Sequence, residues 1–153
     1  PLKKKFKNLK LHMLGKLQTN KVKYAVEIFD YIHSLDSLKL ANKISEEIQK
    51  KSKKIKSFIQ VNLGEEKQKS GISPSDFEQF YKECLSLKLD IIGTMCIPPE
   101  NSDPKPFFKD LLELNKKMSM SAKDKKKAET VDRRDLDIAG NSSTSSSSSS
   151  TSD

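Results

Sequence analysis

Arginine is almost missing from this chain of 153 residues: of 29 basic residues only Arg133 and Arg134 are arginine. Paired Arg forks dominate base reading in the DNA major groove, so the composition argues against sequence-specific nucleic-acid recognition. Tryptophan is absent and only two cysteines are present. Cys84 and Cys96 form no Cys-x-x-Cys, and His12 and His33 lie far from either, which is not the spacing of a zinc site. Two unpaired thiols fit a reducing cytosol. No apolar run approaches the roughly 18 residues of a membrane-spanning helix. No basic segment followed by an apolar stretch and a cleavage site marks a signal peptide. Gly-x-Gly-x-x-Gly, the P-loop and the nucleophile elbow are all missing, and no paired carboxylates stand out as acid and base. Hydrophobic residues reach 34%, low for a globular protein. The core is therefore modest, or the ordered part is shorter than the chain. The chain opens on Pro1, as a piece of a longer protein would.

What the sequence does contain is lysine, unevenly spread. The net charge is +8, and residues 1–23 hold eight lysines and no acid, so the remainder sums to zero. A basic end of this kind suits phosphates or an acidic partner. A solvated lysine-rich face is the blander and commoner explanation.

A single pattern occurs four times: a short apolar run, a polar turn, then a stretch of helical spacing. The runs are Leu11–Leu14, Ile28–Ile32, Ile55–Val61 and Leu89–Cys96, and the helices are expected near 20–27, 36–51, 74–87 and 104–118. In the second helix Leu38, Ala41, Ile44 and Ile48 share one face. In the third, Ser73, Pro74 and Asp76 resemble a capping box with proline in the first turn. Alternating strands and helices without hairpin signals imply parallel strands joined by crossovers. Both an open doubly wound sheet and part of a (β/α)8 barrel fit, four units being half a barrel. In either, ligands gather at the C-terminal strand ends. Residues 1–121 are read as this partial barrel. Residues 122–153, ending in a serine run, are too polar to bury anything and are read as a disordered tail.

The strand ends are polar in a consistent way. The first supplies His12, Gly15 and Gln18; the second His33, Ser34 and Asp36. The third supplies Asn62, Gly64, Lys69, Ser70 and Gly71, and the fourth Gly93, Thr94, Met95 and Cys96. Taken singly, each is weak evidence, since a lone strand histidine is more often a satisfied core residue than a ligand.

Their order is more specific. "LHMLGKLQTNKVKY", "IHSLDSLKLA", "IQVNLGEEKQKSGI" and "IIGTMCIPP" together resemble the pyridoxal-phosphate homeostasis proteins, whose barrel is of the alanine-racemase N-terminal kind. His12, Gly15, Gln18, Asn20 and Lys21 match that family's signature, with Leu11 in place of an aromatic. The resemblance covers residues 9 to about 115. It implies a monomeric, cytosolic (β/α)8 barrel that binds pyridoxal 5′-phosphate without enzymatic turnover. The four units would be its strands three to six. His12, Asn62, Met95 and Ser119 would then belong to the cofactor site, with "MSMSAKD" as a remnant of the seventh strand. The strand bearing the Schiff-base lysine would precede residue 1, and "RRDLDIAG" does not match the eighth strand's Arg-Ile-Gly-Thr. A form truncated at both ends and impaired in cofactor binding is expected. The alternative is a basic module that binds an acidic partner or RNA through its N-terminal lysines.

Overall fold

A computed structural model describes residues 2–67 and 69–121, with only the backbone of 120 and 121. The expected tail, 122–153, lies outside the described residues. In chain order the elements are α1 (Leu2–Lys5), β1 (His12–Met13), a 3-10 turn (Thr19–Lys21), α2 (Val22–Ile28) and β2 (Tyr31–Leu35). Then follow α3 (Leu38–Lys51), β3 (Lys56–Gln60), α4 (Phe77–Ser86), β4 (Asp90–Met95) and α5 (Lys105–Ser121). Among the described residues no helix is long and apolar enough to cross a membrane.

The best-marked helix is α3. Ser37, in an extended conformation, accepts a hydrogen bond from the Leu40 amide at 3.2 Å and so caps the N-terminus. Leu40, Ala41 and Ile44 form its buried stripe. At its C-terminus Ser52 turns left-handed, with φ 50°, and ends the helix.

The four strands pair in the order β1-β2-β3-β4, each pair parallel. Each connection between neighbours passes through a helix, as parallel pairing demands. A doubly wound sheet reverses its strand order at a switch point. No reversal occurs here, so the sheet is an arc of a barrel with its helices on one side. Ile32, Leu35, Ile59, Val61 and Ile91 turn toward that side. There they pack with Val22, Val26, Ile44, Phe80, Cys84 and Leu111 of the helices. Within one sheet β1 and β4 are edges, each paired on one side only among the described residues.

Three sequence expectations are corrected. First, β2 begins at Tyr31, not Ile28, because Asp30 breaks the apolar run. The Asp30 carboxylate accepts from the Leu11 amide at 2.9 Å and from Lys3 Nζ at 3.0 Å, while its own amide donates to the Leu11 carbonyl at 2.8 Å. Ile28 consequently ends α2. Second, the capping box at Ser73 does not form. The Ser73 hydroxyl donates to the Asp76 carboxylate at 2.9 Å, and α4 starts only at Phe77. The segment just before it is drawn to the sheet by a bridge between Ile72 and Val61. Third, α5 continues through Ser121, so residues 118–121 are helical and no seventh-strand remnant exists there.

The helix-to-sheet layer carries the stability of this arc. Ile44 is fully buried on α3, so Ile44→Ala is expected to cost about 2–5 kcal/mol through lost transfer energy and the cavity left behind. Ser37→Ala removes only a cap and is expected to cost about 1 kcal/mol. Urea midpoints of the two variants measure the ratio. Equal losses would contradict this division of stability between core and cap.

Candidate functional site

Side chains alternate across a strand, so what does not face the helices faces the other side of the sheet. Phe58, between Ser57 and Ile59, and Tyr31, beside Ile32, take that second side. Phe58, Ile92 and Met95 form a buried cluster with Tyr31 packed against it, built from strand residues alone.

Two imidazoles join this face. His12 Nδ1 lies 2.9 Å from His33 Nε2, so one ring donates an N–H to the other's lone pair. His12 stacks on Tyr31 with ring centroids 4.1 Å apart and planes 2° from parallel. His33 stacks on Phe58 at 4.2 Å and 15°. Four rings from three strands therefore form a continuous aromatic wall. Lys56 begins β3 on the same side, its ammonium 5.9 Å from the Tyr31 ring centroid. Burial lowers the His33 pKa to about 4, helped by the neighbouring His12. Burial also lowers that of His12, with the Asp30 carboxylate opposing. Both shifts favour the neutral rings, and the shared hydrogen bond requires at least one neutral imidazole as its acceptor.

The remaining expected site residues fall in different places. Strand register puts His12 in one row with Tyr31, Lys56 and Asp90 at the start of the sheet, and Met95 in the last row with Gln60. His12 and Met95 share the face but are offset along the strands by four residues, about 13 Å at ~3.3 Å per residue. Asn62 lies just beyond β3, next to the end of β4, where the Val61 amide donates to the Met95 carbonyl at 2.8 Å. Its side chain is committed to its own loop: Nδ2 donates to the Glu66 carbonyl at 2.8 Å and Oδ1 accepts from the Glu66 amide at 3.3 Å. Ser119 is on the exposed side of α5, its hydroxyl donating to the Asn115 carbonyl at 3.2 Å, and lies on no strand end.

The loop after β3 is braced at its far end as well. Gly71 has φ +124°, and a Cβ there would sit 2.7 Å from the Asn62 nitrogen. The Gly71 amide donates to the Asp36 carboxylate at 3.2 Å, linking the loops that follow β2 and β3. Burial raises the Asp36 pKa, against the Gly71 hydrogen bond and the charge of Lys16. Cys84 and Cys96 are buried, and burial pushes their thiols up to about 12, which disfavours the thiolate. Among the described residues no group of three or more His, Cys, Asp or Glu is placed to hold a metal.

Tyr31 and Phe58, with Lys56 at the rim, belong to this candidate site and were missed by sequence reasoning. Their signal was the period-two alternation in "YIH" and "KSF", which puts every second residue on the inner face.

The His33 environment predicts a pH dependence. An unfolded histidine takes up a proton near pH ~6.5, whereas folded His33 resists until about 4. Between those values the unfolded chain binds the extra proton, so stability falls as pH drops through that window. His33→Phe keeps the stacked ring and removes the titration. Its urea midpoint should fall less between pH 7 and pH ~4.5 than that of the unaltered chain. Parallel losses in the two proteins would show that His33 does not carry the effect.

Comparison with known proteins places this geometry. The family described as "Alanine racemase, N-terminal domain" matches residues 1–147. A pyridoxal phosphate homeostasis protein of Aquifex aeolicus is 39% identical over 111 residues, covering 70% of this chain and 49% of that protein. Its namesake from Helicobacter pylori is 35% identical over 113 residues, 71% of this chain and 50% of that protein. The chain thus spans about half the length of these curated relatives. PipY of Synechococcus elongatus PCC7942, solved with PLP bound, has a TM-score of 0.70 at 29% identity, over 79% of this chain and 57% of PipY. An alanine racemase of Clostridium difficile 630 shares the fold, with a TM-score of 0.58 at 18% identity over 80% of this chain. With its strand order, its one-sided helices and a family match over residues 1–147, the chain belongs to the alanine racemase N-terminal domain family.

Proposed function

We propose that this chain is a pyridoxal 5′-phosphate-binding homeostasis protein of the cytosol rather than an enzyme, and that it binds the cofactor without a covalent anchor. The observation that carries the reading is the aromatic wall on the strand-lined face. The stacked pairs of His12 with Tyr31 and His33 with Phe58 offer flat, partly desolvated surfaces of the kind a pyridine ring lies against. Met95 and Ile92 keep water from the far part of the face. Support also comes from the relatives named for pyridoxal phosphate homeostasis and from PipY, solved with PLP bound.

The donor set fits the ring and not the aldehyde. Bound cofactor supplies an aldehyde that an amine can capture only when the amine is held beside it. Among the described residues Lys56 is the one strand lysine, and it stands at the N-terminal end of β3. Its ammonium lies over the Tyr31 ring at the exposed rim of the wall, and the opposite, C-terminal strand end carries no strand lysine among the described residues. Lys16 and Lys69 are in loops at that opposite end and on no strand. No Schiff-base step is therefore derived for this chain, and turnover of the racemase kind, which needs such a lysine, is not assigned to it.

A second reading, as a basic interaction module, rests on where the unpaired lysines gather. Lys4, Lys5, Lys7, Lys10, Lys53, Lys54, Lys56 and Lys88 are exposed around the N-terminal end of the sheet, with no ion pair among the described residues. Lys43, Lys50, Lys51, Lys69 and Lys82 each face a glutamate. Such a surface suits non-specific, salt-sensitive contact with phosphates at the N-terminal end of the sheet.

Equilibrium dialysis of the full chain against pyridoxal 5′-phosphate, followed by borohydride reduction and peptide mapping, tests both halves of the main reading. Saturable binding is expected, with weak lysine labelling that is scattered and rises linearly with cofactor. Absence of saturable binding would remove the function. Stoichiometric labelling of one lysine would instead overturn the claim that the anchor is missing.

A further inference from the structure

The pairing of β2 with β3 slips by one residue in its middle. Ile32 stands opposite Ser57 and Leu35 opposite Ile59, so His33 and Ser34 together face the single Phe58. Such a bulge bends a strand and re-aims a side chain. It also leaves the Ser34 hydroxyl buried with no hydrogen-bond partner among the described residues, an arrangement that native structures rarely keep without a use. What the slip gives the strand-lined face is the His33 ring, stacked on Phe58 at 4.2 Å with its Nε2 2.9 Å from His12 Nδ1. His33 is the buried member of that pair and His12 the exposed one.

A hydrogen bond between two neutral imidazoles needs an N–H on one nitrogen and a lone pair on the other. Two arrangements satisfy it. In the first, both rings carry their proton on Nδ1, and His12 donates. In the second, both carry it on Nε2, the position a neutral histidine side chain prefers in water, and His33 donates. The second arrangement keeps both rings in the preferred tautomer. His12 Nδ1 is then the acceptor, and its N–H lies on Nε2, an atom with no partner among the described residues.

We propose that His33 is a positioning residue: aimed by the β2 bulge and held against Phe58, it fixes His12 as an Nε2–H donor for an anionic oxygen of the bound cofactor. The inference rests on the proposed binding of pyridoxal 5′-phosphate and names how one residue of the wall is made to recognise it. The cofactor carries such oxygens on its phosphate and on its pyridine ring.

The two histidines differ in how firmly they are held. His33 lies on a strand paired on both sides, while β1 contributes only His12 and Met13 to the sheet. Stacking on Tyr31 at 4.1 Å fixes the plane of the His12 ring and nothing more. A half-turn of the ring about Cβ–Cγ keeps that plane and exchanges each nitrogen for a carbon. The hydrogen bond to His33 is what tells the two edges apart. Two charged groups stand near the pair. The Asp30 carboxylate favours a cation on His12, and the Lys56 ammonium lies 5.9 Å from the centroid of the Tyr31 ring on which His12 stacks. An N–H from His33 occupies the Nδ1 lone pair and so opposes protonation there, against the pull of Asp30.

Two substitutions separate the N–H from the packing. His33→Phe keeps a flat ring on Phe58 and removes the donor. His33→Gln loses the ring and keeps an N–H near the place of Nε2. A two-bond proton–nitrogen spectrum of the free chain at roughly pH 8, above the ordinary imidazole range, reads His12 directly. The unaltered chain and His33→Gln should show His12 protonated at Nε2, with the Nδ1 signal displaced as that of a hydrogen-bond acceptor. In His33→Phe the displacement should vanish. Affinity for pyridoxine 5′-phosphate, which lacks the aldehyde, should follow the same order: about tenfold weaker in His33→Phe, the size of one lost hydrogen bond, and within about threefold of the unaltered chain in His33→Gln. Pyridoxine, without the phosphate, tells the acceptors apart. A difference between the variants that persists assigns the ring oxygen, one that disappears assigns the phosphate, and either agrees with the proposal. His12 protonated at Nδ1, or an Nδ1 signal unchanged in His33→Phe, would overturn it. So would binding weakened more by His33→Gln than by His33→Phe, because packing alone would then account for His33. A chain that binds no pyridoxine 5′-phosphate would remove the cofactor reading and the acceptor with it, and the spectrum alone would then decide whether His33 orients His12.

Discussion

Strand order without a reversal is the constraint on which the rest of this structure depends. Crossovers of one hand between successive parallel neighbours, always advancing the same way, put every helix on one side of the sheet. That side becomes the core, where Ile32, Leu35, Ile44 and Ile59 are fully buried. Among the described residues the other side receives no helix and is lined by what the strands themselves supply. The same rule thus produces a packed layer and, opposite it, a surface of rings.

Packing and chemistry are coupled on that surface. Stacking against Phe58 buries His33, and burial holds its imidazole neutral. A neutral His33 can in turn share a hydrogen bond with His12, which orders a ring on a strand of only two paired residues. Protonating both rings would set two cations 2.9 Å apart and dissolve the arrangement. At the far end of the strands the bracing is polar instead. Asn62 closes its loop on Glu66, and Asp36 reaches the Gly71 amide, whose positive φ leaves no room for a side chain. These contacts fix the loops that frame the strand ends, so Asn62 shapes the region through its loop.

The architecture was legible because its signals are local. Apolar runs alternating with 3.6-residue periodicity, and the absence of hairpin turns, are read within windows of a dozen residues. The parallel order β1-β2-β3-β4 follows from them once a barrel is chosen over a doubly wound sheet. What escaped was long-range. Asp30 ends a run that looks like strand only because it meets Leu11 and Lys3, 19 and 27 residues away in sequence. Ser73 has every local mark of a cap, yet the Ile72 bridge to Val61 and the bond from Ser73 to Asp76 settle the start of α4. Within the candidate site, His12 and Met95 were picked as polar or soft residues at C-terminal strand ends, whereas the register puts His12 in the first row of the sheet and Met95 in the last. Tyr31 and Phe58 were passed over because an aromatic on a strand is ordinarily core, and which face it takes depends on register. Ser119 was misplaced because "MSMS" reads as a strand end by resemblance, while its neighbours Leu111, Leu114 and Met118 continue a helical stripe.

The central claim is that the strand-lined face, and not the helix layer or the lysine-rich end, meets the cofactor. Pyridoxine 5′-phosphate keeps the ring and phosphate and lacks the aldehyde, so it probes that face with no covalent chemistry. Titrating it into the full chain while following side-chain NMR signals tests the claim directly. The account predicts saturable shifts at the His12 and His33 imidazoles, the Tyr31 and Phe58 rings and the Met95 methyl, with Tyr81 and Phe80 of the helix layer unmoved. Shifts confined to the lysines around the N-terminal end of the sheet, or spread over the helices with the five inner residues silent, would contradict it.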